Sequence, residues 1–218
     1  PLAAHLAVKL ARSRALIHTL PEPSHLSVIF AVYNEHTRIL RRDEHPHGED
    51  FLRRKVRQLD WLVDGTPHTW DMTVVDDGCP NDSGALAETI IATDGLGDRV
   101  RVRRLTDAIA EDLPVVRPLT TPDDSRKGGS VVLGMWEAAS KARNNHAVLF
   151  TDADLSTHLG LSGLLVHALL ADGADAAIGS RREPTSVVVK TGSRNTRGKL
   201  FIYIWKRLFP ELGALVDT

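Results

Sequence analysis

Short apolar runs alternate with stretches of helical periodicity along the chain. Leu26-Ser27-Val28-Ile29-Phe30-Ala31-Val32 comes first. A run apolar at odd and even positions alike marks a strand buried on both faces. Met72-Thr73-Val74-Val75 is a second and leads into Asp76-Asp77-Gly78. Residues 100–105 alternate apolar side chains with Arg, the pattern of an edge or half-exposed strand. Ala147-Val148-Leu149-Phe150 is another buried run, ending in Thr151-Asp152-Ala153-Asp154, and residues 174–178 are expected to form a fifth strand.

Helical patterns fill the gaps. Residues 49–63 place Phe51, Leu52, Val56, Leu59, Leu62 and Val63 on one stripe. Residues 83–93 follow a turn rich in Pro, Asn and Asp, with Ser83 as the expected N-cap. Residues 129–141 and 161–170 complete the set. Strands alternating with helices predict βαβ units, hence an α/β chain with a mainly parallel, Rossmann-like sheet flanked by helices. Two stretches, 35–50 and 106–127, are polar and read as long loops, of the kind that often carries function. Residues 1–24 form a separate N-terminal unit, an amphipathic helix broken up by Lys9, Arg12 and Arg14 and therefore no signal peptide. Residues 25–218 are the main domain.

Composition narrows the function classes. The chain has 218 residues, 42% hydrophobic and 25% charged, ordinary values for a folded domain. A net charge of −1 argues against a globally basic nucleic-acid binder. The single Cys, Cys79, excludes an internal disulfide framework and a Cys-rich zinc site, and suits a reducing compartment. No apolar stretch is long enough for a membrane span. The chain lacks an initial Met and stops at Asp217-Thr218, so it is expected to be a fragment truncated at its C-terminus.

Open parallel sheets bind ligands outside the carboxyl ends of their strands. Here those ends carry Tyr33-Asn34-Glu35, Asp76-Asp77-Gly78 and Asp152-Ala153-Asp154, which lines one rim with carboxylates. Like charges brought together need a counter-ion, and a hard divalent cation with oxygen ligands is the natural one. Asp152 and Asp154 sit at i and i+2 just past a strand, where both can bracket one metal ion. The plainer reading is a turn in which Asp154 or Ser156 caps the next helix. Lys127-Gly128-Gly129 has the look of a phosphate-cradling turn at a helix N-terminus, without the upstream Gly of a P-loop. His158 caps or packs, and the loop histidines His36, His45 and His47 lack strict ligand spacing.

Taken together, these segments resemble the family 2 glycosyltransferases with the GT-A fold. The resemblance runs from about residue 25 to the end, through Ser27–Glu35, Val74–Gly78, Lys127–Gly129, Phe150–Asp154 and Ile178-Gly179-Ser180-Arg181. It is nearest to the dolichyl-phosphate glucosyltransferase and polyprenyl-phosphate glycosyltransferase branch. That resemblance implies a metal-dependent, inverting enzyme moving a sugar from a UDP-glucose- or GDP-mannose-type donor. Ala31, Tyr33, Glu35, Asp76, Asp77, Lys127, Asp152 and Ala153 would hold the nucleotide sugar. Asp152 and Asp154 would hold Mg²⁺ or Mn²⁺. Arg181 would approach the transferring group, and Asp217 or a residue past Thr218 would be the base. Ser156 stands where lipid-phosphate mannosyltransferases often carry Gln, and the Cys79-Pro80-Asn81-Asp82 turn departs from the usual G-S-T-D.

A lipid phosphate is the acceptor the branch implies. It is already anionic, needs cations more than a base, and Arg182, Arg194 and Arg197 in a basic run would grip it. Phe201, Tyr203, Trp205 and Phe209 follow, and read either as an interfacial helix or as a stripe packed on the sheet. The expected location is cytoplasmic, with peripheral contact at the inner face of a membrane and no nucleic-acid partner. Two competing readings remain in view: a sugar-phosphate nucleotidyltransferase, and a non-catalytic nucleotide-sugar-binding domain.

Overall fold

The fold is that of a computed structural model, which describes residues 2–141, 143–181, 183–189 and 194–211, without the side chains of 194–197 and 199. Its centre is a four-stranded, all-parallel sheet of β1 (His25–Val32), β2 (Thr69–Asp76), β3 (Val100–Arg104) and β4 (His146–Phe150) in the order β3-β2-β1-β4. Helices α1 (Leu2–His18), α2 (Phe51–Val63), α3 (Ser83–Thr93), α4 (Leu105–Ala110), α5 (Lys127–Ala139), α6 (Ser162–Leu170) and α7 (Arg194–Leu208) complete the described elements. The architecture is α/β and Rossmann-like. Strand order reverses between β1 and β4, which makes their carboxyl ends the topological switch point.

The doubly apolar strand β1 feeds two cores because alternate residues face opposite sides. Leu26, Val28, Phe30 and Val32 join Phe51, Leu52, Leu59 and Leu62 of α2 on one face. Ile29 joins Val75, Leu105, Leu133 and Ala138 on the other. On that second face α5 lies close: a Cβ on Gly134 would come within 2.5 Å of the Ile29 side chain. Glycine there lets the helix settle onto β1 without displacing it.

The edge predicted for residues 100–105 is observed: β3 is an outer strand. Three expectations need correction. The fifth strand does not form. After α6, the Ala174 amide bonds back to the Ala168 carbonyl, which closes the helix end, and Ile178 is left 61% exposed. As a result β4 is the other outer strand among the described residues and alternates in burial, where burial on both faces was expected. The stretch 106–127 also holds more structure than a loop: α4 and 3₁₀ turns at Pro114–Val116 and Pro122–Asp124. A Thr121/Asp124 capping box fixes the second turn.

Helix α1 packs on α6, α2 and the 3₁₀ turn Leu159–Leu161, burying Ser13 and Ile17 while Leu2 and Val8 face outward. Among the described residues no helix is long and apolar enough to cross a membrane.

Candidate functional site at the strand ends

Three polar strand ends meet at one cleft of about 260 Å³, lined by Ala31, Tyr33, Glu35, Asp77, Lys127, Asp152, Ala153 and Asp154. These residues come from β1, β2, β4 and the start of α5. The parallel register explains why they converge: Val32 pairs with Asp76, so β1 and β2 end level, while β4 stops at Phe150 opposite Ile29 and the Thr151 amide still donates to the Ile29 carbonyl, so that the 151–154 segment carries on toward the same rim.

Each turn has a local cause. Asn34 adopts a left-handed backbone (φ 57°), which Asn tolerates better than most residues. Its amide donates to Cys79 Sγ at 3.2 Å and its Oδ1 accepts from Asn81 at 2.7 Å, which ties the first strand end to the second. Glu35 N donates to Ser83 Oγ at 2.9 Å. Ser83 is therefore the first residue of α3 and a bracket between loops, rather than the N-cap; Asp82 holds that position without a side-chain bond.

Asp76 also departs from expectation. Its carboxylate accepts from the Cys79 and Gly84 amides, both at 2.8 Å, so it shapes the turn and the start of α3 and is absent from the cleft lining. The approach is close enough that a Cβ on Gly84 would meet Asp76 Oδ2 at 2.4 Å. Asp77, one residue on, is the carboxylate that opens into the cleft. Burial pushes its pKa up against the hydrogen bond from Ser130 Oγ, 2.5 Å away.

The Asp152-Ala153-Asp154 turn is held from below. Lys55, fully buried on the core face of α2, donates from Nζ to the Asp152 carbonyl at 2.9 Å and the Asp154 carbonyl at 3.0 Å. Burial lowers the Lys55 pKa to about 8 although the nearby aspartates oppose the shift. The Asp152 carboxylate pairs with Lys127, whose ammonium also lies 5.1 Å from the Phe150 ring centre. Asp154 accepts from the Ser156 amide at 3.0 Å and faces Arg38 at 3.8 Å. Burial disfavours its charge, but the Ser156 hydrogen bonds and the Arg38 and Lys55 cations outweigh that and hold its pKa below the usual value. Arg38 grips Glu49 with two bonds of 3.0 Å and reaches both Glu35 oxygens. Burial nonetheless pushes Glu35 up.

Protein cations thus supply part of the counter-charge for which the sequence suggested a metal. The lining still holds four carboxylates against one ammonium. Among the described residues no three His, Cys, Asp or Glu side chains converge as a ready-made metal site. The donor set nevertheless fits Mg²⁺ or Mn²⁺, since such ions commonly take one or two carboxylates and complete their shell with substrate phosphates and water. Asp152 and Asp154 are the carboxylates that would hold it.

Arg38, Lys55 and Ser130 were not foreseen. Lys55 left a signal, a lone lysine inside the apolar stripe of α2. His158 caps the 3₁₀ turn, its Nδ1 accepting from the Gly160 amide, so neither Asp154 nor Ser156 does. Arg181 is exposed in the irregular stretch after α6 and does not line the cleft. Arg182 and Asp217 lie outside the described residues, and Arg194 and Arg197 are described only as backbone of α7. Comparison with protein-family models, with curated proteins and with solved structures finds no match.

Proposed function

We propose that this chain is a metal-dependent glycosyltransferase that takes a nucleotide sugar as donor. One observation carries the reading: the cleft at the switch point is lined by Ala31, Tyr33, Glu35, Asp77, Lys127, Asp152, Ala153 and Asp154 together. An acidic cleft with a single lysine at a helix N-terminus suits a diphosphate that arrives with a divalent ion. Cleaving a sugar–phosphate bond leaves new negative charge on the departing diphosphate, and stabilising that charge is the main catalytic task. Asp152 and Asp154 would hold the ion, which supplies Lewis acidity there.

The chain's own groups do the rest. Lys127 offers its ammonium to phosphate oxygens, in exchange for its pairing with Asp152. Asp77 accepts a hydrogen bond from the base of the nucleotide. Tyr33, 49% exposed at the cleft mouth, offers a ring face for stacking. Small side chains at Ala31 and Ala153 leave room for the ligand. Lys55 and Arg38 keep the acidic turn in place.

For the acceptor we favour a lipid phosphate at a membrane surface. On α7, Phe201, Ile204 and Leu208 are exposed beside Lys206 and Arg207, the composition of a helix lying in an interface. Thermal shifts measured across a panel of nucleotide sugars, with and without Mn²⁺, test the donor assignment. The expected result is stabilisation by one donor class that needs the ion, with turnover in Asp154→Ala reduced at least ~100-fold. Stabilisation by no nucleotide sugar under either condition would overturn the reading.

A further inference from the structure

A second cavity lies apart from the cleft and shares no lining residue with it. It is a groove of about 530 Å³ between α1 and α2, closed at one end by the turn that carries His158. That size falls within the range of small-molecule sites. Its walls are apolar. Ala7 and Ala11, one turn apart on α1, present only methyl groups, and Leu10 and Trp61 supply the rest. Arg14 covers the Trp61 ring at 5.2 Å.

The polar groups that the lining side chains leave unpaired are donors. Gln58 Oε1 accepts from the Leu159 amide at 2.8 Å, which identifies the other amide atom as nitrogen, and that NH₂ has no partner among the described residues. His158 accepts at Nδ1 from the Gly160 amide at 3.0 Å, and burial lowers its pKa, so the neutral ring carries its proton on Nε2. Arg54 is among the lining residues, and its guanidinium has no ion-pair or hydrogen-bond partner among the described residues. Arg57 beside it is engaged with Asp50 at 3.2 Å. No carboxylate lines the groove.

Methyl and indole walls, with the Arg54, Gln58 and His158 side chains among them, define a complementary ligand. It needs an apolar chain and a head that accepts hydrogen bonds and carries negative charge. A guanidinium fork matches the two oxygens of a carboxylate, and the neutral His158 and Gln58 donors add hydrogen bonds without demanding a dianion. We propose that the groove between α1 and α2 binds a single-chain amphiphile with a carboxylate head, such as a free fatty acid. The inference stands independently of the glycosyltransferase reading.

Isothermal titration of the whole chain with dodecanoate, below its micelle concentration, tests it. One site per chain is expected, with binding at least tenfold weaker in Arg54→Gln. Ala11→Trp and Ala7→Trp each fill the groove from an outward position of α1, and either should abolish binding while leaving the ligand-free melting midpoint unchanged. The two variants guard against one of them failing to fold. Equal affinity for 1-dodecanol would remove the role of the head, and tighter binding of dodecyl phosphate would replace the carboxylate. Either result overturns the proposal. So does saturation at several molecules per chain, or unchanged binding in both Trp variants. Binding of anionic phosphatidylglycerol vesicles with none of dodecanoate would assign the surface to a bilayer and likewise overturn it.

Discussion

Asp71 and Asp77 stand near opposite ends of the same strand, and their surroundings differ in kind. Asp71 lies toward the amino end of β2, ringed by Lys141 at 2.8 Å, Arg143 at 3.4 Å, His25 at 3.5 Å and Arg101 at 3.9 Å. Burial works against its charge, but the Lys141 hydrogen bond and the surrounding cations prevail and bring its pKa down to about 2. Asp77 lies just past the carboxyl end with a hydroxyl as its partner and acids for neighbours, and burial pushes it up. One end of the sheet neutralises its carboxylate fully. The other keeps negative charge in hand where a ligand would arrive, at some cost in stability. Strained or electrostatically mismatched groups of this sort tend to gather at functional sites.

The largest effect should come from Lys55, the one fully buried cation among the described residues. Lys55→Met keeps the volume but strips the Asp152 and Asp154 carbonyls of their donor. Leaving two buried acceptors unpaired costs roughly 2–4 kcal/mol. Urea unfolding would read this, and a loss under about 1 kcal/mol would mean that water replaces the ammonium.

Next comes Asp71→Asn, which leaves its cations facing one another. A carboxyl brought from 3.8 down to about 2 on folding corresponds to roughly 2 kcal/mol. The sign follows from the depressed folded pKa: this stabilisation is complete above the unfolded value of 3.8 and lost as pH drops through about 2. The variant should therefore be less stable at neutral pH, and its stability should fall less steeply between pH ~4 and ~2. Parallel acid-denaturation curves for both proteins would contradict the assignment.

Asp77→Asn should change stability least, by no more than about 0.5 kcal/mol, since the Ser130 hydrogen bond survives. The pH dependence of Asp77 runs opposite to that of Asp71. Its raised folded pKa means that its contribution is present at low pH and lost as pH rises through that value. Affinity for the nucleotide donor should fall about tenfold in the variant, equivalent to ~1.4 kcal/mol, as read by calorimetry. A stability loss as large as that of Asp71→Asn would erase the contrast between the two ends.

Much of this was legible before any coordinates. The apolar run of residues 26–32 announced a strand facing two cores because both odd and even positions were apolar. The Arg alternation of residues 101–104 announced an edge. Acidic residues closing three such runs had to meet, because the carboxyl ends of parallel strands lie at one edge of the sheet. Residues 174–178 misled: their apolar content was real, but the Ala174 amide is recruited to close α6, a choice that composition does not encode. The strand-end pattern by itself does not tell Asp76 from Asp77 either, since neighbouring residues point to opposite sides and the packing of Gly84 shows which carboxylate the turn consumes.

Ala31 was assigned only through the family resemblance, but the order of apolar runs and acidic strand ends, read alone, was enough for the parallel α/β architecture and for the acidic residues of the cleft rim. Those are local properties of period and composition. Which cations answer the carboxylates is a different matter. Lys55 meets Asp152 across 97 positions of sequence and Lys127 meets it across 25, while the groove between α1 and α2 exists only because two distant helices leave alanines facing a tryptophan. Contacts of that kind depend on how rigid elements dock, and the free energy of docking is shared over the whole core rather than written in any one segment.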